Sequence, residues 1–175
     1  MSQTPTQPEV RPAPHPRPEL LGKIKVTRQL ASWLDTCVRC GACAEACHIF
    51  RAMPEARHIP SYKAERFRRV YRRYHTWVGR KLPWLVGARD LTEEFLEEFR
   101  DLVYQCSMCR RCAMYCPFGV DNAVLIRAMR TMLVAAGKAP ASLQGVTNTN
   151  LQTGNNLGLT RERFLERVEF INELL

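Results

Sequence analysis

Apolar residues fall at helical spacing in several separate stretches of the chain. From Lys23 to Asp35, Leu30, Trp33 and Leu34 lie on one side of a predicted helix that runs directly into Cys37. Farther on, Phe67, Val70, Tyr71, Tyr74, Trp77 and Val78 follow steps of three and four. Arg66, Arg68, Arg69, Arg72 and Arg73 occupy the remaining arc, which predicts an amphipathic helix with a cationic outer surface. Asp90 and Glu93 have the spacing of a capping box. Leu91, Phe95, Phe99, Leu102 and Val103 then predict a helix, acidic outside, that ends at Cys106. Asp121 is placed to cap a helix lasting to about Ala136, where Gly137 and Pro140 end it. The stretch SLQGVTNTNLQTGNNLGLT reads as a polar, turn-rich loop. A last helix is predicted from near Thr160, with Phe164, Leu165, Val168, Ile171 and Leu175 on one side. No segment alternates with a period of two, so the fold class is all-α.

The length of 175 residues suits one domain with tails. Residues 1–20 hold six prolines, which remove backbone donors and fix φ, and are expected to form a disordered tail. Residues 21–140 carry the helical domain, and 141–175 the polar loop and C-terminal helix, expected to contact a partner. At 46% hydrophobic and 25% charged, the composition is that of a soluble protein. No apolar run is long enough to span a membrane, and the N-terminus lacks the apolar core of a signal peptide; a cytoplasmic location is expected. Eight cysteines in such a protein point to metal binding before disulfides.

The formal charge is +9, and the excess sits between Arg51 and Arg89, where eleven Lys and Arg face only Glu55 and Glu65. A basic segment of this kind raises nucleic acid as a partner. The arginines, however, lie on a helix without exposed aromatics interleaved for base stacking, so nucleic-acid binding is the lesser reading.

The cysteines give the sharper signal. Cys37, Cys40, Cys43 and Cys47 repeat the C-x2-C-x2-C-x3-C spacing of Cys106, Cys109, Cys112 and Cys116, 69 positions apart. Each motif follows one predicted helix and precedes another, which makes two helix–Cys-loop–helix units. This spacing is the bacterial two-cluster signature, in which three cysteines hold one iron–sulfur cube and the fourth holds the other. It implies two [4Fe-4S] clusters, one on Cys37, Cys40, Cys43 and Cys116, the other on Cys106, Cys109, Cys112 and Cys47. The competing arrangement gives each motif its own cube. Pro117 fits the signature, whereas His48 after Cys47 departs from it. Zinc sites pair ligands from two separated segments, which four cysteines in one short loop overfill. Arg110-Arg111 in one loop stands opposite Gly41-Ala42 in the other, so the Cys106 loop is expected to hold the more easily reduced cluster. No Ser/His/Asp set, phosphate loop or dinucleotide fingerprint is present, and no catalytic residue is assigned.

The 58 residues of helical pattern between Cys47 and Cys106 resemble the α-helical ferredoxin domain. With CVRCGACAEACHIF, IPSYKAERFRRVYRR, YQCSMCRRCAMYCPFGVD and TNTNLQTGNNLGL, the chain is similar to the HdrC family of heterodisulfide reductase subunits. It most resembles the form in the heterodisulfide-reductase-like complex of sulfur-oxidising bacteria, and also the N-terminal part of DsrK. The resemblance implies a non-catalytic electron-transfer subunit working in sulfur oxidation. It would sit between a flavin-bearing HdrA-type subunit and an HdrB-type subunit whose cysteine-rich domain carries the disulfide chemistry. The absence of adjacent cysteine pairs fits the separate electron-carrying subunit. The iron–sulfur subunit of a quinone-linked dehydrogenase is the alternative.

Overall fold

The computed structural model describes residues 26–175; the proline-rich tail expected over 1–20 and the first residues of the helix predicted from Lys23 lie outside them. Among the described residues there is no strand, and every element is helical, in agreement with the all-α reading. They fall into two compact units, 26–138 and 139–175.

In the first unit, the Thr27 side chain accepts a hydrogen bond from the Leu30 amide and opens α1 (Arg28–Thr36), which buries Leu30 and Leu34. The first cysteine loop holds two short helices, α2 (Ala42–Glu45) and α3 (His48–Ala52), and leads through a 3-10 turn (Ala56–His58) into α4 (Pro60–His75). Proline at the first helical position suits a start where the N–H has no acceptor. The predicted helix was to continue through Trp77 and Val78, but it breaks at Thr76. That residue is extended, and its hydroxyl accepts from the Gly79 amide to start α5 (Trp77–Lys81). Gly79 packs so tightly that a Cβ built there would sit 1.9 Å from the Arg72 carbonyl oxygen.

Helix α6 (Glu93–Tyr104) is capped by Thr92, whose hydroxyl accepts from the Phe95 amide, and not by Asp90. Asp90 instead accepts from Arg73 at 2.7 Å and from the Tyr74 hydroxyl at 3.3 Å. The second cysteine loop contains α7 (Arg111–Met114) and feeds α8 (Asn122–Ala135), capped by Asp121 through the Ala123 and Val124 amides as the sequence predicts. Apolar residues of α1, α4, α6 and α8 form one core, with Phe99 lying 6.5 Å from Phe67 and 5.3 Å from Phe95 between ring centroids. Burying each such ring stabilises the fold by roughly 1.5–3 kcal/mol.

The arginines of α4 do not form a free cationic strip. Arg66 pairs with Glu98, Arg68 and Arg69 with Glu65, and Arg73 with Asp90, while Arg72 donates to the Val86 carbonyl at 3.2 Å. Glu98 and Asp90 thus bring two further negative charges to the segment, while Glu65 is shared by two arginines of the helix.

In the second unit, the stretch read as a loop begins as a helix, α9 (Ala141–Thr153). The helix accommodates its threonines because Thr147, Thr149 and Thr153 each donate to the carbonyl four residues back, at 2.8–3.0 Å, which satisfies the hydroxyls without ending the helix. Gly154, in the left-handed conformation, ends it. Thr160 caps α10 (Arg161–Leu174), which leaves Phe164, Leu165, Val168 and Ile171 exposed.

Candidate metal centre

The two cysteine loops repeat in backbone conformation as well as in sequence. Two residues after the first cysteine of each, Arg39 (φ 61°) and Met108 (φ 56°) are left-handed; two residues later so are Gly41 (φ 86°) and Arg110 (φ 63°). Three of these four are not glycine, and left-handed backbone costs such residues about 1–2 kcal/mol each. Left-handed residues are a building block of the backbone nests, concavities of N–H groups, found at many iron–sulfur sites. Amides already approach sulfur: Met108 N lies 3.4 Å from Cys106 Sγ, and Val120 N 3.4 Å from Cys116 Sγ.

Arginines anchor the loop starts in the same way. From α4, Arg68 donates to the Cys37 carbonyl at 2.7 Å, and from α8, Arg130 donates to the Cys106 carbonyl at 2.5 Å. Arg130 also lies over the Tyr104 ring, 4.9 Å from its centroid. Each loop is thereby tied to the helix that follows it.

Two cavities result. One is lined by Cys106, Cys109, Cys112 and Cys47, with His48, His58, Pro60, Lys63 and Asn122 around them. The other is lined by Cys37, Cys40, Cys43 and Cys116, with Arg39, Ser61, Phe118 and Asn122. The start of α4 serves both, since Ser61 lies against Cys43 while Lys63 reaches the other cavity. Asn122 borders both, and its buried Oδ1 has no hydrogen-bond partner among the described residues. In each loop the second cysteine, Cys40 or Cys109, is exposed, and the remaining six are buried or half-buried.

Burial pushes the Cys112 thiol up to about 12, helped by the neighbouring Cys106, Cys43, Cys109 and Cys47 sulfurs, and burial likewise raises Cys43. Sulfurs that resist ionising side by side become thiolates together only around a cationic core, which is the chemistry of a metal-bound set. Four sulfurs line the wall of each cavity, a donor set that a four-iron cluster accommodates. The donor set therefore fits iron–sulfur clusters.

Sequence reasoning singled out these eight cysteines, found no evident partner residue for His58 and passed over Lys63. His58 is fully buried, and neither ring nitrogen has a partner among the described residues. Lys63 is 3% exposed; burial lowers its pKa while the Cys106, Cys47 and Cys112 sulfurs work the other way. His48 is exposed, with Nε2 3.3 Å from the Ser107 hydroxyl and Nδ1 3.8 Å from Cys109 Sγ. Arg110 pairs with Asp121 at 2.5 Å and keeps a side chain that is 69% exposed.

Helices that present eight cysteines in two left-handed loops around two cavities define an iron–sulfur protein of the all-α class. The 4Fe-4S dicluster domain family model matches residues 33–120, and the chain belongs to that family. It is 39% identical over 136 residues to the Hdr-like menaquinol oxidoreductase iron-sulfur subunit 2 of Archaeoglobus fulgidus, covering 78% of this chain and 24% of that one. It is 33% identical over 114 residues to the D subunit of the dihydromethanophenazine:CoB--CoM heterodisulfide reductase of Methanosarcina acetivorans (65% and 27%). Lactate utilization protein B of Anoxybacillus flavithermus is 26% identical over 107 residues (61% and 19%). The chain spans about a quarter of the length of the first two of these relatives. No solved structure matches it. No helix among the described residues is long and apolar enough to cross a membrane.

Proposed function

We propose that the chain binds two [4Fe-4S] clusters and relays electrons, without a catalytic residue of its own, in a heterodisulfide-reductase-like oxidoreductase complex. One observation carries the reading: each cavity gathers three cysteines from one motif and the fourth from the other. The ligand sets are Cys37, Cys40, Cys43 and Cys116 for the first cluster, and Cys106, Cys109, Cys112 and Cys47 for the second. Each cluster supplies one-electron chemistry when bound. The protein's part is to hold the sulfurs, direct amides at them and keep most of each site from water. Exposed Cys40 and Cys109 mark the two places where electrons enter and leave.

The partners in this reading are a cysteine-rich HdrB-type subunit that performs disulfide or thiol chemistry and a flavin-bearing HdrA-type subunit, in the sulfur metabolism of the cytoplasm. The exposed apolar residues of α9 and α10, among them Leu143, Val146, Phe164 and Ile171, serve as the partner contact. A second reading places the chain on the path of electrons from menaquinol, favoured by the likeness to the Archaeoglobus fulgidus menaquinol oxidoreductase subunit. Protein purified without oxygen should contain about eight irons and eight sulfides per chain and show two reducible signals. Stoichiometric zinc with little iron would contradict the proposal. Isolation of the native complex distinguishes the two readings, because a bound flavin protein favours the first and reduction by a menaquinol analogue favours the second.

A further inference from the structure

The charges around the two cysteine cavities are unequal: Lys63 lines one of them, and Arg130, held there by the Val103 and Cys106 carbonyls and the Tyr104 ring, lies on the same side. Lys63 is 3% exposed and lines the Cys47, Cys106, Cys109 and Cys112 cavity. Every other basic residue near the cysteine loops either has a partner or reaches water. Arg68 is equally buried but is held by Glu65 at 3.0 Å and the Cys37 carbonyl at 2.7 Å. Arg39, which lines the other cavity, is largely exposed and lies 3.5 Å from Glu65. Arg110, at the rim of the Lys63 cavity, is neutralised by Asp121, and Arg111 is exposed. Beside Lys63 are the Cys106, Cys47 and Cys112 sulfurs and, with the same sign as its own charge, Arg130. An ammonium on a side chain this buried is costly unless negative charge faces it, and the groups placed to supply that charge are these sulfurs.

We propose that Lys63 is the counter-cation of the cluster held by Cys47, Cys106, Cys109 and Cys112, and makes it the more easily reduced of the two. The proposal rests on the two-cluster reading above. A cluster with four thiolate ligands is a net anion, and it gains one further negative charge when it takes up one electron from a low-potential one-electron donor. A desolvated ammonium beside it favours the more negative state, whereas the solvated and paired Arg39 beside the other cavity does so far less. No proton has to move with the electron. The asymmetry expected from Arg110-Arg111 therefore has a different carrier, one that sits on the inner side of the cavity.

The test is an EPR redox titration with dithionite on the full chain, wild type, Lys63→Met and Lys63→Arg, with the two signals assigned through Cys40→Ser and Cys109→Ser. Lys63→Met keeps length and removes charge. At the wild-type midpoint it should lower the ratio of reduced to oxidised cluster in the Cys106 loop by at least about tenfold, which is about 59 mV for one electron. The other signal should stay in place, and Lys63→Arg should stay near wild type. Unmoved signals, equal movement of both, or a Lys63→Arg that behaves like Lys63→Met would overturn the proposal. If Lys63→Met fails to load its cluster while Lys63→Arg loads both, the counter-charge role stands; if neither loads, the side chain acts by packing and the proposal fails. Iron content separates this from the underlying reading. A wild-type chain with about four irons contradicts the two clusters, whereas about eight irons with unmoved potentials contradicts Lys63 alone.

Discussion

Replacing Arg68 by Met should loosen one cluster site and spare the other. The guanidinium is 4% exposed and links three things: the Cys37 carbonyl at 2.7 Å, the Glu65 carboxylate at 3.0 Å and the core side of α4. Methionine keeps much of the volume but leaves the carbonyl without its donor. Losing a charged hydrogen bond of this kind costs about 1.5–3 kcal/mol. The full cost of about 3–5 kcal/mol for breaking a buried ion pair does not apply, because Glu65 retains Arg39 at 3.5 Å and Arg69 at 3.6 Å. A net loss of about 2–3 kcal/mol, placed at the first residue of the Cys37 loop, corresponds to roughly 30- to 150-fold in the stability of that site. The assay is chelator-driven loss of visible absorption and of each EPR signal from anaerobic protein. The Cys37-loop signal should decay faster by that order, and the Cys106-loop signal at the wild-type rate. Glu65→Gln should have a smaller effect in the same direction, and the double variant little more than Arg68→Met alone. Equal acceleration at both sites would refute the reasoning, since it would make Arg68 a general support of the core.

Three further outcomes follow from the backbone and from one histidine. Gly79→Ala forces a Cβ to within 1.9 Å of the Arg72 carbonyl oxygen and should cost about 3 kcal/mol or more, read as a lowered unfolding midpoint of the loaded protein. Gly41→Ala meets no neighbouring atom, so its cost should be the conformational one alone, about 1–2 kcal/mol, and should appear mainly as faster loss of the Cys37-loop cluster. His75, stacked on Tyr71 at 5.3 Å, has its pKa lowered from 6.5 by burial and by Arg80. The unfolded chain therefore takes up the proton first, and stability should fall as the pH drops below about 6.5; His75→Gln should flatten that part of the profile, by a small amount because the ring is partly exposed.

How much of this was legible follows from what each residue does. Leu30, Phe67, Phe95 and Phe99 gave away their helices because they lie in the core and must recur at the helical period. The cysteines gave away the loops because their spacing is set by chemistry rather than by packing. The break at Thr76 is invisible to periodicity, since Trp77 and Val78 keep the period while the chain has already turned. The helix at Ala141–Thr153 was hidden by threonines and asparagines that favour loops unless, as here, the threonine hydroxyls bond back to the helix. The arginines of α4 looked like a solvated face because their carboxylate partners, Glu98 and Asp90, come from distant parts of the chain. Lys63 did leave a trace. It lies in register with Phe67, Val70 and Tyr74, on the apolar stripe of its helix, where a lysine is out of place unless something anionic faces it. His58, on a short turn before Pro60, has no periodicity to reveal it.

The central claim is that each cluster is shared between the two motifs, and Cys116→Ser tests it most directly. Cys116 belongs to the second motif but lines the cavity of the first. With the EPR signals assigned by Cys40→Ser and Cys109→Ser, Cys116→Ser should weaken or convert the signal that Cys40→Ser perturbs, and Cys47→Ser the signal that Cys109→Ser perturbs. A Cys116→Ser protein that keeps the Cys40-dependent signal intact and loses the Cys109-dependent one would mean that each motif holds its own cluster, and the crossed arrangement would be wrong.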